Sequence, residues 1–346
     1  MIVPLILLIF FFTEVHAGSS DREEVFNKLC MQPPEKDKAF FDVLLDSSSL
    51  STRTQKCDYF AEYYVSDKAV QAAQKGHGWG LILSGKSLTD ISPIKHLQAI
   101  MRLSLANNPI ENLTPISNLS HLKKLSFVQT PANDISFLSK LNNLEDLSFG
   151  SKNIQNLDAL RNLNKLKRLN IYDAYVEVTD ELSGMNNLKS LSVLTEMENV
   201  CVLNRLEGLQ RLSLGNRIED LHCLDKLINL EYLSLRSTDI EDLTFIENFP
   251  NLKWLSLPRT RVSDISPVLM LTRLEHLNID NTQIIDTSLL SALPNLNTLN
   301  AYETSLRPCA PRNVEEIKQG ISCYEKDGTL KPWWKRLFWW MKRPFH

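Results

Sequence analysis

The chain has 346 residues, of which 43% are apolar, with 38 Lys and Arg against 41 Asp and Glu and a formal net charge of −3. That balance argues against general nucleic-acid binding, which needs a basic surface, and with Gly at 11 residues, loops that cradle cofactors are scarce. The charge is unevenly spread: residues 331–346 carry five Lys/Arg and no acid, so residues 18–330 hold 33 basic against 40 acidic side chains.

The chain opens MIVPLILLIFFFTEVHAGSS. The apolar run Ile2–Phe12 is too short to span a bilayer comfortably, and Val15-His16-Ala17 resembles a small-x-small cleavage site. Residues 1–17 are therefore expected to be a signal peptide, with an uncleaved anchor as the alternative. No Lys or Arg precedes the run, and no Cys sits just after the site, which argues against a lipoprotein. Export would permit disulfides. The six cysteines fall in three close pairs, Cys30/Cys57, Cys201/Cys223 and Cys309/Cys323, without the CxxC-type spacing and neighbouring His of a zinc site. Disulfides are expected for the two outer pairs, Cys30–Cys57 and Cys309–Cys323.

Residues 18–78 read as helical. Asp21 can cap a first helix through Leu29, Pro33-Pro34 ends it, Lys38–Leu45 suits a second, and after the Ser47–Ser51 turn a longer helix is predicted from Gln55 to Gln74. Cys30 would tie the first helix to the third through Cys57. Two readings stand: a separate binding domain, or a cap over the exposed apolar edge of the repeats that begin near Leu81.

From there the chain repeats with a period of 22 residues. Leu227, Leu230, Leu233, Leu235, Ile240, Leu243 and Ile246 return 22 residues later as Phe249, Leu252, Leu255, Leu257, Val262, Ile265 and Val268. Six of the seven return again as Leu271, Leu274, Leu277, Ile279, Ile284 and Leu290, with Thr287 the departure. A degenerate unit begins near Leu81, complete units open at Leu97, Leu119, Leu141, Leu163, Met185, Leu206, Leu227, Phe249 and Leu271, and a partial one runs from Leu293 to Leu306. The units at Met185 and Leu206 are one residue short. Each holds an LxL core such as Leu255-Ser256-Leu257, a period-two alternation that makes a short strand with both leucines inward.

The pattern LxxLxxLxLxxNxIxxLxxL resembles the leucine-rich repeat family, and within it the 22-residue bacterial internalin-like class. The resemblance covers about Leu81–Leu306. It implies an α/β solenoid: a parallel β-sheet on the concave face, an irregular or 3₁₀ convex face, a helical N-terminal cap and a short C-terminal cap. The usual Asn is present as Asn108, but Thr130, Thr238, Thr260, Thr282 and Thr304 replace it elsewhere. A Thr hydroxyl can take over part of the Asn hydrogen-bond network, so the fold is expected to survive with a somewhat different turn. Cys201 and Cys223 fall on the return segments of successive units; a bond across rungs and two buried free thiols are both open.

The expected organisation is thus 1–17 signal peptide, 18–78 cap, 79–306 solenoid, 307–327 C-terminal cap and 328–346 a basic, Trp-rich tail. The stretch after Leu306 lacks the strand pattern of the immunoglobulin-like domain of internalins and the long catalytic domain of bacterial leucine-rich-repeat ubiquitin ligases.

No HExxH, GxSxG, phosphate loop or metal-ligand cluster occurs, so neither catalysis nor a metal or cofactor is expected. The outward strand positions are more telling. Ser104, Ser126, Ser148, Asn170, Ser192, Ser213, Ser234, Ser256, Asn278 and Asn300 form a small polar column. In the column before it, Tyr232, Trp254 and His276 stand on consecutive rungs, flanked by Arg211 and Arg236. Tyr, Trp and Arg dominate interface hot spots, so a protein partner on the concave face is expected here; ordinary strand propensity of aromatics is the bland alternative.

The tail KPWWKRLFWWMKRPFH places Trp333 and Trp334 with Trp339 and Trp340 on a wide apolar face, with Lys335 and Arg336 beside them. Trp with Lys/Arg is the composition of an interfacial helix attracted to anionic lipid, while packing on the cap or a disordered end are the alternatives. The leading expectation is an exported protein-interaction module. One rival is a membrane-associated factor using the tail, with the solenoid as spacer. The other is an intracellular scaffold similar to eukaryotic phosphatase-binding leucine-rich-repeat proteins.

Overall fold

The computed structural model describes residues 21–306, apart from 153, 155, 174–179, 183, 195–196, 198, 217 and 219, together with 313–315. The signal-peptide expectation for 1–17, the Cys309–Cys323 pair and the Trp-rich tail lie outside the described residues.

The chain divides into two compact units, Met1–Leu163 and Asn164–His346. The first begins with helices α1 (Asp21–Met31), α2 (Glu35–Asp46), α3 (Arg53–Phe60) and α4 (Asp67–Gln74). Phe26, Phe40, Phe41, Leu44 and Phe60 form their core, each at most 1% exposed. Cys30 and Cys57 are bonded, tying α1 to α3 with a Cα–Cα distance of 5.8 Å.

The single helix expected over Gln55–Gln74 is two. A π-helical turn, Ala61–Val65, follows α3, and Ser66 leaves the helical region with φ −57° and ψ 153°. Its side chain then acts twice: Oγ donates to the Glu62 carbonyl at 2.6 Å and accepts the Ala69 N–H at 3.0 Å. Ser66 therefore ends one helix and caps the next. The consequence is positional, because the break turns Tyr64 toward the first rung. Its carbonyl accepts from Ala99 N–H at 3.0 Å, and its hydroxyl donates to the Gly80 carbonyl at 3.2 Å. Burial, and then neighbouring Tyr59, push the Tyr64 phenol up to about 12. Tyr63 meets Trp79 edge to face at 5.3 Å. The helices form a cap on the apolar edge of the repeats, which a solenoid requires.

Strands β1 (Trp79–Ile82), β2 (Ile100–Ser104), β3 (Lys124–Val128) and β4 (Asp146–Gly150) follow. They pair in parallel and in chain order, Leu81 with Leu103, Leu103 with Leu125, and Leu125 with Leu147. The second unit holds β5 (Arg168–Tyr172), β6 (Ser190–Leu194), β7 (Arg211–Leu214), β8 (Tyr232–Ser234), β9 (Trp254–Ser256), β10 (His276–Asn278) and β11 (Thr298–Asn300). There too every strand pairs in parallel with the next, which puts Leu233, Leu255, Leu277 and Leu299 in line. The inward positions of the best-formed rungs, among them Leu233, Leu235, Ile240, Leu255, Leu257 and Val262, are fully buried. A short 3₁₀ helix closes most returns, as at Thr244–Asn248 and Ser266–Met270.

The short units keep register: Ser190 pairs with Arg211 and Arg211 with Tyr232, each 21 residues on. The missing residue comes out of the turn after the strand, so the next buried positions, Met197 and Ile218, arrive one place early.

The Asn/Thr column shows what Thr can and cannot replace. Asn108 Oδ1 accepts the N–H groups of Lys86 and Leu88 in the preceding rung, at 2.9 and 3.0 Å. Its Nδ2 donates to the carbonyls of Leu83 and Leu105, both at 2.8 Å. Thr130, Thr238, Thr260 and Thr282 each donate only to the carbonyl three residues back, at 2.7–3.0 Å. The residue just before this column adopts positive φ, as at Asn107 (58°), Arg259 (60°) and Asn281 (56°). We expect Asn108→Ala to cost about 2–5 kcal/mol, because it strands two backbone donors of the preceding rung and a carbonyl on each of two rungs, and Thr260→Ala only about 1 kcal/mol. Urea midpoints would show the difference; equal losses would overturn it.

Two further ladders hold rungs together. The Nδ2 of Asn229, Asn251 and Asn295 donates to a carbonyl of the previous rung at 2.8–3.0 Å. At the start of the returns, Asp90, Asp134, Asp242, Asp264 and Asp286 accept the N–H two residues on, at 2.7–2.9 Å, which caps the 3₁₀ turn. At one return His222 joins in, its Nδ1 lying 2.5 Å from Asp220 Oδ1 and its Nε2 2.8 Å from Thr244 Oγ1. Hydrogen bonds from the His222 backbone and ring hold the Asp220 carboxyl below its ordinary range.

Cys201 and Cys223 are bonded, with Cα atoms 5.5 Å apart. Cys201 is exposed and Cys223 half-buried. The alternative of two buried free thiols is therefore corrected: the segments face solvent, and the 22-residue separation sets the two side chains on adjacent rungs.

Candidate functional site

The strand face of the second unit gathers Arg211, Tyr232, Trp254 and His276 into one row. Each opens its strand, and register alone makes them neighbours, since Arg211 pairs with Tyr232, Tyr232 with Trp254, and Trp254 with His276. The alternation of each strand points the next residue, Leu233, Leu255 or Leu277, into the core.

The side chains then stack. The Arg211 guanidinium lies 4.2 Å from the Tyr232 ring centroid. The Tyr232 and Trp254 rings are 5.8 Å apart at 30°, and Trp254 and His276 are 4.4 Å apart at 32°. Each ring pair contributes about 0.5–1.5 kcal/mol beyond its buried area, and an exposed cation–π contact about 0.5–1 kcal/mol. The row is pre-ordered, so a ligand need not fix these rotamers on binding.

Trp254 nevertheless remains 38% exposed. The small polar column beside the row, Ser234, Ser256 and Asn278, leaves its rings standing above the sheet. His276 Nδ1 is buried without a hydrogen-bond partner. Arg236, which follows the strand core at Leu235, is exposed and makes no ion pair or side-chain hydrogen bond among the described residues. Of the five residues singled out from sequence, four form one contiguous stack and Arg236 stands apart from it as a free cation. The orphaned His276 nitrogen was not legible in the sequence, since it depends on ring orientation.

The first unit presents a second, shallower feature. A depression of about 480 Å³ is lined by Gly80, Ile82, Arg102, Ser104, Lys124 and Asp146, among others. Lys124 lies 3.8 Å from Asp146, which leaves Arg102 as the excess cation of the lining.

Among the described residues no group of His, Cys, Asp or Glu is arranged to hold a metal ion, and no helix is long and apolar enough to cross a membrane. Trp333, Trp334, Lys335, Arg336, Trp339 and Trp340 lie outside those residues.

Parallel strands repeating every rung, inward leucines and 3₁₀ returns define a leucine-rich-repeat solenoid with a helical cap. Among solved structures the chain is similar to the internalin inlF of Listeria monocytogenes, at 23% identity over 84% of this chain and 87% of that one, with a TM-score of 0.61. It is also similar to a leucine-rich-repeat protein of Leptospira interrogans, at 23% identity over 68% and 69% of the two chains with a TM-score of 0.53. A chain of the mouse RP105/MD-1 complex aligns at 21% identity over 71% of this chain and 50% of its own, with a TM-score of 0.52. No family model matches the sequence, and no curated protein sequence matches it.

Proposed function

We propose that the chain is an exported, non-catalytic protein-interaction module that binds its partner through the strand face of the solenoid, concave in the repeat class it resembles. The observation that carries this reading is the stacked row Arg211–Tyr232–Trp254–His276: rigid aromatics that are partly exposed, beside a column of Ser and Asn. Isolated aromatics would be strand packing; a pre-ordered row flanked by arginines has the composition of an interface hot spot. That a chain of like fold was solved within the mouse RP105/MD-1 complex supports the same use of the scaffold. Export is supported by the two disulfides and by the apolar start ending in Val15-His16-Ala17. Free thiols at these four positions in the native protein, read on a non-reducing gel, would overturn it and favour the intracellular scaffold.

The test is Trp254→Ala. In affinity capture from fluid bathing the producing cells or their targets, wild type should retain a partner that the variant loses by about 2 kcal/mol or more, some thirtyfold in affinity. The unfolding temperature should fall by only the few degrees that the two lost ring contacts cost, because the Trp254 side chain stands on the sheet rather than in the core. Undiminished capture, or a large drop in unfolding temperature, would sink the reading.

A further inference from the structure

The three columns of outward strand residues in the second unit hold Arg168, Arg211 and Arg236 against one acid, Asp280, although the whole chain has a net charge of −3. Asp280 is already engaged, its Oδ1 accepting the Tyr302 N–H at 2.6 Å. Arg211 keeps its charge over the Tyr232 ring. Arg236 and, in the edge column that also holds Asp173 and Glu303, Arg259 are exposed, and neither arginine side chain has a partner among the described residues. An acidic protein thus carries a basic strand face, and the free cations border the aromatic row.

The row also limits what can bind. Tyr232 has Arg211 on one side and Trp254 on the other, and Trp254 lies between Tyr232 and His276. The ring faces are therefore occupied by one another. A pyranose ring stacks on an open aromatic face, and neither Tyr232 nor Trp254 offers one. What remains is ring edges, the positive side of the aromatic quadrupole, with the Tyr232 hydroxyl and the Trp254 indole N–H. Neither group is hydrogen-bonded among the described residues. His276 Nδ1 has no partner to lose if the ring turns toward a ligand.

We infer that the surface takes an acidic protein segment: carboxylates pair with Arg211, Arg236 and Arg259, and acceptor groups of the segment meet the edges of Tyr232 and Trp254. The inference rests on the protein-binding reading above and names the chemistry of the partner.

The test uses the full chain and fluorescently labelled random copolymers of Glu and Tyr and of Lys and Tyr, with heparin as a competing polyanion, followed by anisotropy at low and high salt. Wild type should bind the Glu–Tyr copolymer in preference to both others. The double variant Arg211→Gln/Arg236→Gln should weaken that binding by about tenfold or more and flatten its salt dependence. Lys335→Gln/Arg336→Gln, which lowers the charge of the tail, should leave it unchanged. Tighter binding of heparin, insensitive to Trp254→Ala, would overturn the inference in favour of an anionic glycan. Preference for the Lys–Tyr copolymer that Trp254→Ala abolishes would overturn the acidic preference and leave the strand face as the protein-binding surface. Copolymer binding indifferent to Trp254→Ala and to both arginine substitutions would overturn the two readings together.

Discussion

Leu255→Ala is expected to lower the unfolding free energy by about 2–5 kcal/mol, and Leu233→Ala by a comparable amount. Leu255 is fully buried and lies in register between Leu233 and Leu277. Its removal leaves a void that neighbouring rungs cannot collapse into, because the strand ladder on either side fixes their spacing at about 5 Å. In a solenoid each rung is held by its two neighbours, so the loss weakens two interfaces at once. The contrast with Trp254 makes the experiment sharp. The two residues are adjacent, yet one points into the core and the other is 38% exposed. Chemical denaturation of the two variants side by side should give the larger shift for Leu255→Ala, with Trp254→Ala losing only its two ring contacts. A shift below about 1 kcal/mol for Leu255→Ala would contradict the stacking account.

The alternation that separates these two residues was readable in the sequence because it is periodic. A position that recurs every rung inherits one environment, so Leu103, Leu125, Leu233 and Leu255 could be assigned to the core and Ser104, Ser126 and Ser234 to the open face; Ser256, on the same column, is the exception and is buried. The same arithmetic set Tyr232, Trp254 and His276 side by side. It could not say that the rings stack or that Arg211 closes the end of the row, since both depend on rotamers rather than register. Where the chain is not periodic the reading was weaker. Helical propensity runs through Gln55–Gln74 without a Gly or Pro, and the break at Ser66 is made by a hydroxyl that bonds backwards to Glu62 and forwards to Ala69. The Asn ladder through Asn229, Asn251 and Asn295 sits in plain view before the strand leucines, but an exposed Asn in a polar stretch announces nothing until its rung partner is seen. The Thr column stands between these cases: substitution for Asn was visible, and the restriction to bonds within one rung was not.

Disulfide reduction should act on the two bridges in a fixed order and with different consequences. By loop-closure entropy a bridge across 27 residues (Cys30–Cys57) or 22 residues (Cys201–Cys223) stabilises by about 3–4 kcal/mol. Access separates them. Cys201 is exposed, whereas Cys30 and Cys57 are both fully buried in the cap. Mild reductant with an alkylating reagent should therefore label Cys201 and Cys223 first, read by peptide mass spectrometry, while the cap bridge persists until the helices open. Opening Cys201–Cys223 removes a link between rungs that the Asn and Asp ladders still join. Opening Cys30–Cys57 releases α1 from α3 around Phe26, Phe41 and Phe60, and puts at risk the Tyr64 contacts that cover the first rung. Cys30→Ala/Cys57→Ala should consequently lower the melting temperature and expose apolar surface to a hydrophobic dye, beyond what Cys201→Ser/Cys223→Ser does. Labelling of Cys30 and Cys57 before Cys201 and Cys223, or a larger loss in the Cys201→Ser/Cys223→Ser variant, would show that the cap is not what protects the open end of the repeats.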